Sequence, residues 1–189
     1  MSPTEYRTWL AKRLIRARGA RSVHSCDESG VGYQVIARLE AAGNETVDLS
    51  TLYLLALYLG VNLPKLLTTG ARGVGTWPDG DVPSWPAVDM AVRKQFRQTR
   101  QTAQMGARKL SSLSGHARVS PSWIFRIESG EVAHLDVVRL QSVAEVLGSS
   151  VPRLLPPALW MREDDDNTRD RDQPHPGTPD ATMERSPTP

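Results

Sequence analysis

An internal repeat constrains this chain more than any other feature. When the sequence is shifted by 88 residues, positions 36–67 align without a gap over positions 124–155. The identical pairs include Ile36/Ile124, Arg38/Arg126, Glu40/Glu128, Asp48/Asp136, Leu52/Leu140, Ala56/Ala144, Leu59/Leu147, Gly60/Gly148, Pro64/Pro152, Leu66/Leu154 and Leu67/Leu155. Because so long a run of matches rarely arises by chance, we expect two copies of one small structural unit.

The apolar residues of each copy predict helices. In the first copy Leu52, Leu55, Ala56 and Leu59 follow helical spacing, and their counterparts 88 residues later follow the same spacing. Both stretches end at a glycine, which often terminates a helix. No segment shows the alternation typical of strands. The sequence therefore predicts an all-α protein.

Composition divides the chain into four parts. We predict a first helical unit at 1–68, a linker rich in Gly, Pro and Trp at 69–89, a second helical unit at 90–157, and a tail at 158–189. Trp77 and Trp85 are unusual in a flexible connector, so part of the linker is expected to pack on a domain surface. The acidic, proline-rich tail has too few apolar residues to offset its ordering entropy, and we expect it to be disordered.

Helix boundaries follow from periodicity and capping. Ser120 followed by Pro121 is a favourable helix start, because serine accepts free backbone N–H groups and proline at the first position loses no hydrogen bond. In the first copy the predicted helices span 5–18, 22–28, 33–41 and 49–59. In the second copy they span 91–103, 107–113, 121–127 and 136–147, followed by a short turn at 151–155.

Charge is distributed unevenly along the chain. The formal net charge is +2, yet positions 90–127 hold eight Lys or Arg and no Asp or Glu. Positions 160–189 hold four Arg and eight acidic residues. A basic stretch of one sign inside a folded unit is typical of proteins that bind polyanions, although a solvated helix face gives the same count.

Several classes of protein are not supported by the sequence. No apolar stretch approaches the ~18 to 20 residues of a membrane helix, and no signal-peptide core is present near the N-terminus. The single cysteine, Cys26, cannot form an internal disulfide. The four histidines are far apart, and no catalytic or metal-ligand spacing is found. We therefore expect a cytoplasmic protein that is not an enzyme, with no cofactor, no bound metal and no membrane association.

Residues 110–115 (LSSLSG) and 119–130 (VSPSWIFRIESG) carry a recognisable motif. It resembles the helix-turn-helix of the phage-repressor-like family, the Cro and lambda-repressor (XRE) type. Three residues, His116, Ala117 and Arg118, enlarge the turn relative to the family pattern. The first copy keeps uninterrupted spacing over 29–40 but is degenerate elsewhere. The resemblance implies two tandem lambda-repressor-like bundles.

The resemblance also implies which residues touch double-stranded DNA. In this family a glycine, here Gly115 or Gly30, lets the backbone reverse between two helices, and the second helix enters the major groove. The implied DNA-binding residues of the second copy are Ser120, Pro121, Ser122, Trp123 and Arg126, with Arg118, His116 and Arg108 nearby. Those of the first copy are Gly32, Tyr33, Gln34 and Arg38.

A structural ion pair is implied as well. In the family an arginine of the first helix meets the glutamate that ends the recognition helix, here Arg100 and Glu128. In the first copy Glu40 is kept, but the position aligned with Arg100 is Ile15, with Arg16 as the nearest substitute. Two roles stay open for the first copy: it retains DNA contact, or it serves packing and dimerisation.

The sequence thus predicts a sequence-specific DNA-binding transcriptional regulator, a repressor associated with a prokaryotic nucleoid. One chain could read two half-sites alone, or a homodimer could form through one unit. The alternative is a protein-interaction module, such as an antitoxin or adaptor, that binds a protein partner through the same helical fold, with the linker or acidic tail as a docking segment.

Overall fold

The computed structural model of the protein describes residues 1–43, 46–71, 73, 75–77, 81–115 and 118–160. Over these ranges the ordered elements are helices, and the extended pairing is limited to the isolated bridges Asp48/Asp136 and Val61/Thr76. The predicted all-α class is confirmed.

The first repeat contains four α-helices and one 3₁₀ helix. They are α1 (Pro3–Arg18), the 3₁₀ helix (His24–Ser29), α2 (Tyr33–Glu40), α3 (Leu49–Leu59) and α4 (Leu63–Leu67). The second repeat contains α5 (Trp85–Thr102), α6 (Ala107–Leu113), α7 (Pro121–Ser129), α8 (Val137–Val146), α9 (Val151–Leu154) and a closing 3₁₀ helix (Pro157–Leu159). The helix predicted at 22–28 is therefore a 3₁₀ helix, which begins two residues later and ends one residue later than predicted.

Capping explains where the main helices begin. The Ser120 hydroxyl accepts a hydrogen bond from the Trp123 backbone N–H at 3.1 Å, and Pro121 occupies the first turn of α7, as predicted. The equivalent aspartates Asp48 and Asp136 cap α3 and α8. Gly60 ends α3 in the left-handed conformation, which a side chain would oppose. Equivalent sequence signals thus give equivalent helices.

The two repeats meet along a contact that we call the seam. Asp48 and Asp136 form an antiparallel bridge. The Leu49 N–H donates to the Leu135 carbonyl at 2.9 Å, and the Val137 N–H donates to the Val47 carbonyl at 2.8 Å. Around this bridge α4 packs on α9, α1 on α8, and α3 on α5. Buried apolar residues of both repeats consequently belong to one hydrophobic cluster.

The segment predicted as a linker is partly helical. Helix α5 begins at Trp85, inside the predicted 69–89 linker. The centroid of the Trp85 indole lies 5.7 Å from that of the Tyr53 ring, and the centroid of the Trp77 indole lies 5.8 Å from it. The Tyr53 hydroxyl donates to the Pro83 carbonyl. The expected packing of this tryptophan pair on a domain surface is present. It also explains the early start of α5, because Trp85 is anchored at the first turn.

The folded part extends slightly beyond the predicted boundary at 157. Leu159 is buried, and its carbonyl accepts a hydrogen bond from the buried Asn62 side-chain amide at 3.0 Å. The predicted tail therefore starts too early, because Leu159 closes the core. The disorder expected for the rest of the tail concerns 161–189, which lie outside the described residues.

Candidate interaction face on helices α5 to α7

Helices α6 and α7 pack against each other. Leu110 of α6 and Ile124 and Ile127 of α7 are buried. The Ser111 hydroxyl donates to the Val119 carbonyl at 2.8 Å and ties the turn to α6. Gly115 has a φ of 62°, a conformation that L side chains rarely adopt, so a glycine is needed at this reversal. The outward face of α7 is held in one orientation as a result.

An ion pair fixes the end of α7 to α5. Arg100 donates from Nε to Glu128 Oε1 at 2.6 Å and from Nη2 to Glu128 Oε2 at 2.8 Å. Its Nη1 donates to the Met105 carbonyl at 2.8 Å. The hydrogen bonds to Glu128 raise the pKa of Arg100, against the opposing effect of burial. The pair implied by the family resemblance is thus present in bidentate geometry.

The corresponding pair of the first repeat uses a different arginine from the one expected. Arg18, not Arg16, donates to Glu40, with Nε to Oε1 at 2.7 Å and Nη2 to Oε2 at 2.9 Å. Arg18 lies one helical turn after the buried Leu14 and so faces the core side of α1, whereas Ile15 and Arg16 face solvent. Helix-face geometry therefore corrects the substitute that simple proximity suggested.

The first turn of α7, where base contacts were expected, is occupied by internal interactions. The Ser120 hydroxyl caps the helix and lies 3.0 Å from the Ser122 hydroxyl. Pro121 has no backbone N–H to donate. Trp123 is 8% exposed, and the Arg139 guanidinium of α8 lies 5.9 Å from its ring centroid. Its role as a DNA-contacting residue stays a prediction, for a side chain of which little is exposed.

The other predicted contact residues that the structure describes lie on the surface. Arg126 is exposed, with Nε 4.0 Å from Glu131 Oε2. Arg108 and Arg118 are exposed as well, and His116 lies outside the described residues.

In the first repeat Gly32 precedes α2 as its N-cap residue, without a side-chain cap. Tyr33 stacks on His24 with ring centroids 4.7 Å apart, the Gln34 amide lies 3.4 Å from the Tyr33 hydroxyl, and Arg38 is exposed. Gly30, at the turn before α2, has a φ of 77° and fills the reversal role expected of it.

The basic stretch of 90–127 is less uniform than its sequence indicates. Arg93 is buried, and donates to Asp89 at 2.8 Å and to the carbonyls of Ile127 and Val132 at 3.0 and 2.6 Å. Arg100 is paired with Glu128, as described above. Two of the eight cations therefore serve the fold, because intervening loops and helices bring acceptors to them. The remaining six are exposed or near the surface: Lys94, Arg97, Arg108, Lys109, Arg118 and Arg126.

Sequence reasoning missed an exposed aromatic side chain on α7. Phe125 is 58% exposed and lines a shallow depression of about 310 Å³, which we call the Phe125 depression. Its other lining residues are Arg97, Arg126, Glu128, Ser129 and Glu131. A sequence signal existed, since the repeat alignment places Ala37 opposite Phe125 and Phe125 falls outside the apolar stripe of α7.

A second depression crosses the seam beside the first. It has a volume of about 660 Å³ and is lined from the first repeat by Thr46 and Asp48. Arg126 lines both depressions. At its margin the His134 Nδ1 lies 2.7 Å from Asp48 Oδ2, which links the repeats across the surface. The loop that follows α7 therefore lies against the first repeat.

The part of the chain that the structure describes lacks two further kinds of feature. No group of three or more His, Cys, Asp or Glu side chains is placed to hold a metal ion there. Nor is any helix in those ranges long and apolar enough to cross a membrane.

Comparison with known proteins gives few matches. No protein-family model matches the chain, and no curated protein matches its sequence. Solved structures of hydroxypropylphosphonic acid epoxidase (HppE) match, among them the enzyme from S. wedmorenis and its cobalt(II) form in complex with Tris buffer. Each is 30% identical over 38% of this chain, with a TM-score of 0.33. The chain spans less than two fifths of the length of these proteins, at 36 to 38%.

These matches correct the predicted function. They are structures of an epoxidase and not of a DNA-binding regulator, which contradicts the prediction of a sequence-specific transcriptional repressor. A likeness of this extent transfers no activity to the chain.

Proposed function

We propose that this chain is a protein-interaction module that binds an acidic protein segment through the Phe125 depression. The observation that carries the proposal is an aromatic ring on α7, 58% exposed, in a depression that is also lined by Arg97 of α5 and Arg126 of α7. The proposal includes that the protein acts by binding and not by catalysis. It also includes a cytoplasmic location, because a chain with a single cysteine has no internal disulfide that would call for an oxidising compartment.

The exposed ring is not part of the hydrophobic core cluster. Helix α7 buries Trp123, Ile124 and Ile127, and Phe125 lies outside that stripe. At the equivalent position the first repeat has Ala37, which is exposed, in a helix of the same kind. The unit thus forms without an aromatic residue at this position. Covering a Phe side chain by a partner is favourable by about 1.5 to 3 kcal/mol, which suits an interface anchor.

The charges around the ring favour an acidic partner. Arg97 and Arg126 line the depression beside Phe125, and Lys94 is exposed on the same helix as Arg97. Two glutamates line it as well: Glu128 is paired with Arg100, and Glu131 is 65% exposed, 4.0 Å from Arg126. Arginine forms bidentate hydrogen bonds with carboxylates, and aromatic residues and arginine are enriched in the cores of protein interfaces. A segment that combines carboxylates with one apolar anchor complements this face.

The first turn of α7 favours a protein partner over a nucleic acid. Readout of base edges needs free side-chain donors at that turn. Here the Ser120 hydroxyl caps the helix, and Trp123 is buried with the Arg139 guanidinium beside its ring. The exposed apolar contact lies further along the helix, where a protein side chain can pack on it.

A display selection on the intact protein tests the proposal. A randomised peptide pool is expected to converge on acidic sequences with an apolar anchor, and calorimetry then gives the Kd of a selected peptide. Phe125→Ala, which gives α7 the residue found in α2, should weaken binding about tenfold or more, since 1.4 kcal/mol corresponds to tenfold. Leu113→Ala is the matched control, because Leu113 is similarly exposed on α6 and does not line the depression.

A random duplex DNA pool is selected in parallel. Enrichment of the duplex pool without enrichment of the peptide pool would overturn the proposal. So would a selected peptide whose affinity is unchanged by Phe125→Ala.

A further inference from the structure

The contacts at the seam follow the symmetry of the repeat. Asp48 faces Asp136, and these two residues are each other's equivalents under the 88-residue shift. The bond from the Leu49 N–H to the Leu135 carbonyl is matched by the bond from the Val137 N–H to the Val47 carbonyl. The same shift converts the first bond into the second. The bridge therefore has local two-fold symmetry.

Helix packing at the seam obeys the same relation. Helix α4 packs on α9, and these helices occupy equivalent positions in the two repeats. Helix α1 packs on α8, and the equivalent pair, α5 and α3, is also in contact. Both repeats thus use the same surface to contact each other. Such an interface is called isologous, and it is the arrangement found in a two-fold homodimer.

The residues at the seam are buried like a protein core. Leu49 and Leu135 at the bridge, and Leu66 and Leu154 of α4 and α9, are each 0% exposed. The buried Asn62 of the first repeat donates to the Leu159 carbonyl of the second at 3.0 Å. Separating the repeats would expose these leucines and leave a buried amide without its acceptor, which is costly.

We infer that the chain is a two-fold pair within one polypeptide. Each repeat supplies to the other the surface that a second copy of the chain would supply in a homodimer. The protein is therefore a monomer, and its seam is not available for self-association. The two outer helices, α2 and α7, are free to carry different residues, as Ala37 and Phe125 do. This inference does not depend on which partner the Phe125 depression binds.

Disulfide trapping of the intact chain tests it. Asp48 and Asp136 form a pair without mutual hydrogen bonds, for which Cα atoms lie about 4.5 Å apart, within the range of a disulfide. The variant Asp48→Cys/Asp136→Cys, made in a Cys26→Ser background, is oxidised and run on a non-reducing gel. We expect a cross-linked monomer of altered mobility, and the single variants should give no cross-link.

The mass of the unaltered chain is measured alongside by light scattering during gel filtration, since each substitution also removes a helix cap. We expect 20.8 kDa at micromolar concentration. A covalent dimer of the double variant would show that the seam lies between chains and would overturn the inference, and twice that mass for the unaltered chain would overturn the monomeric state that it includes. A double variant that is helical by circular dichroism yet forms no disulfide would also overturn it.

Discussion

Replacing Glu128 by glutamine should destabilise the protein by about 2 kcal/mol. The substitution keeps the size of the side chain but removes the charge that faces Arg100, whose Nε and Nη2 lie 2.6 and 2.8 Å from the carboxylate oxygens. The two side chains are 15% and 9% exposed. Breaking a fully buried pair costs about 3 to 5 kcal/mol, and an exposed pair contributes about 0 to 1 kcal/mol. A half-buried bidentate pair lies between these limits.

The first repeat supplies a matched test of this magnitude. Arg18 and Glu40 are 17% and 11% exposed, with Nε 2.7 Å from the carboxylate, so Glu40→Gln should cost nearly the same free energy of unfolding. Both variants are measured by urea denaturation followed by circular dichroism at 222 nm. The double variant Arg100→Met/Glu128→Leu should recover much of the loss, because it leaves no unpaired charge.

Equal stability of Glu128→Gln and the unaltered protein would refute this reasoning. A large loss in Glu128→Gln with none in Glu40→Gln would refute the equivalence of the two pairs. In the first case the Arg100–Glu128 pair, and in the second case the Arg18–Glu40 pair, would have to be regarded as a consequence of helix packing with no contribution of its own.

Three further predictions concern the core and the seam. Leu135→Ala should lower the free energy of unfolding by about 2 to 5 kcal/mol in urea titrations, because the leucine is fully buried at the bridge. Asp136→Ala should cost about 1 to 2 kcal/mol by the same measurement, since its carboxylate accepts from the backbone N–H groups of Val138 and Arg139 at 2.9 and 3.4 Å. Burial raises the pKa of Tyr6 well above its usual value near 10. The neutral phenol therefore contributes to stability below about pH 10, and this contribution is lost as the pH rises above that value. Titration of phenolate absorbance at 295 nm should therefore show one of the four tyrosines ionising last, together with unfolding, and Tyr6→Phe should remove that step.

Much of the local structure could be predicted from the sequence. Leu52 to Leu59 followed by Gly60 gave a helix with the predicted bounds, and Ser120 with Pro121 gave the predicted start of α7. These features depend on side-chain periodicity and on capping within a few residues. The repeat itself predicted that both units would share one helical plan.

The remaining features depend on contacts between distant parts of the chain. Trp123 was expected to contact DNA and is buried, with Arg139 of a different helix 5.9 Å from its ring centroid. Arg93 was counted as a surface cation and instead binds carbonyls 34 and 39 residues away. The seam could not be predicted from the apolar pattern of one copy. Helical spacing shows which residues of a helix are buried, but not whether they pack inside their own repeat or against the other repeat.

The seam also bears on why Phe125 is found in only one repeat. In a homodimer a substitution appears on both outer faces at once, so an exposed aromatic ring on one face entails a second ring on the other. Joining the two copies in one chain removes that constraint, since position 37 keeps alanine while position 125 has phenylalanine. The ring then lies beside Arg126, and Arg126 also borders the depression that reaches Asp48 of the first repeat. A partner that extends from Phe125 across Arg126 into that second depression would contact both repeats, and its affinity would then depend on the seam staying closed.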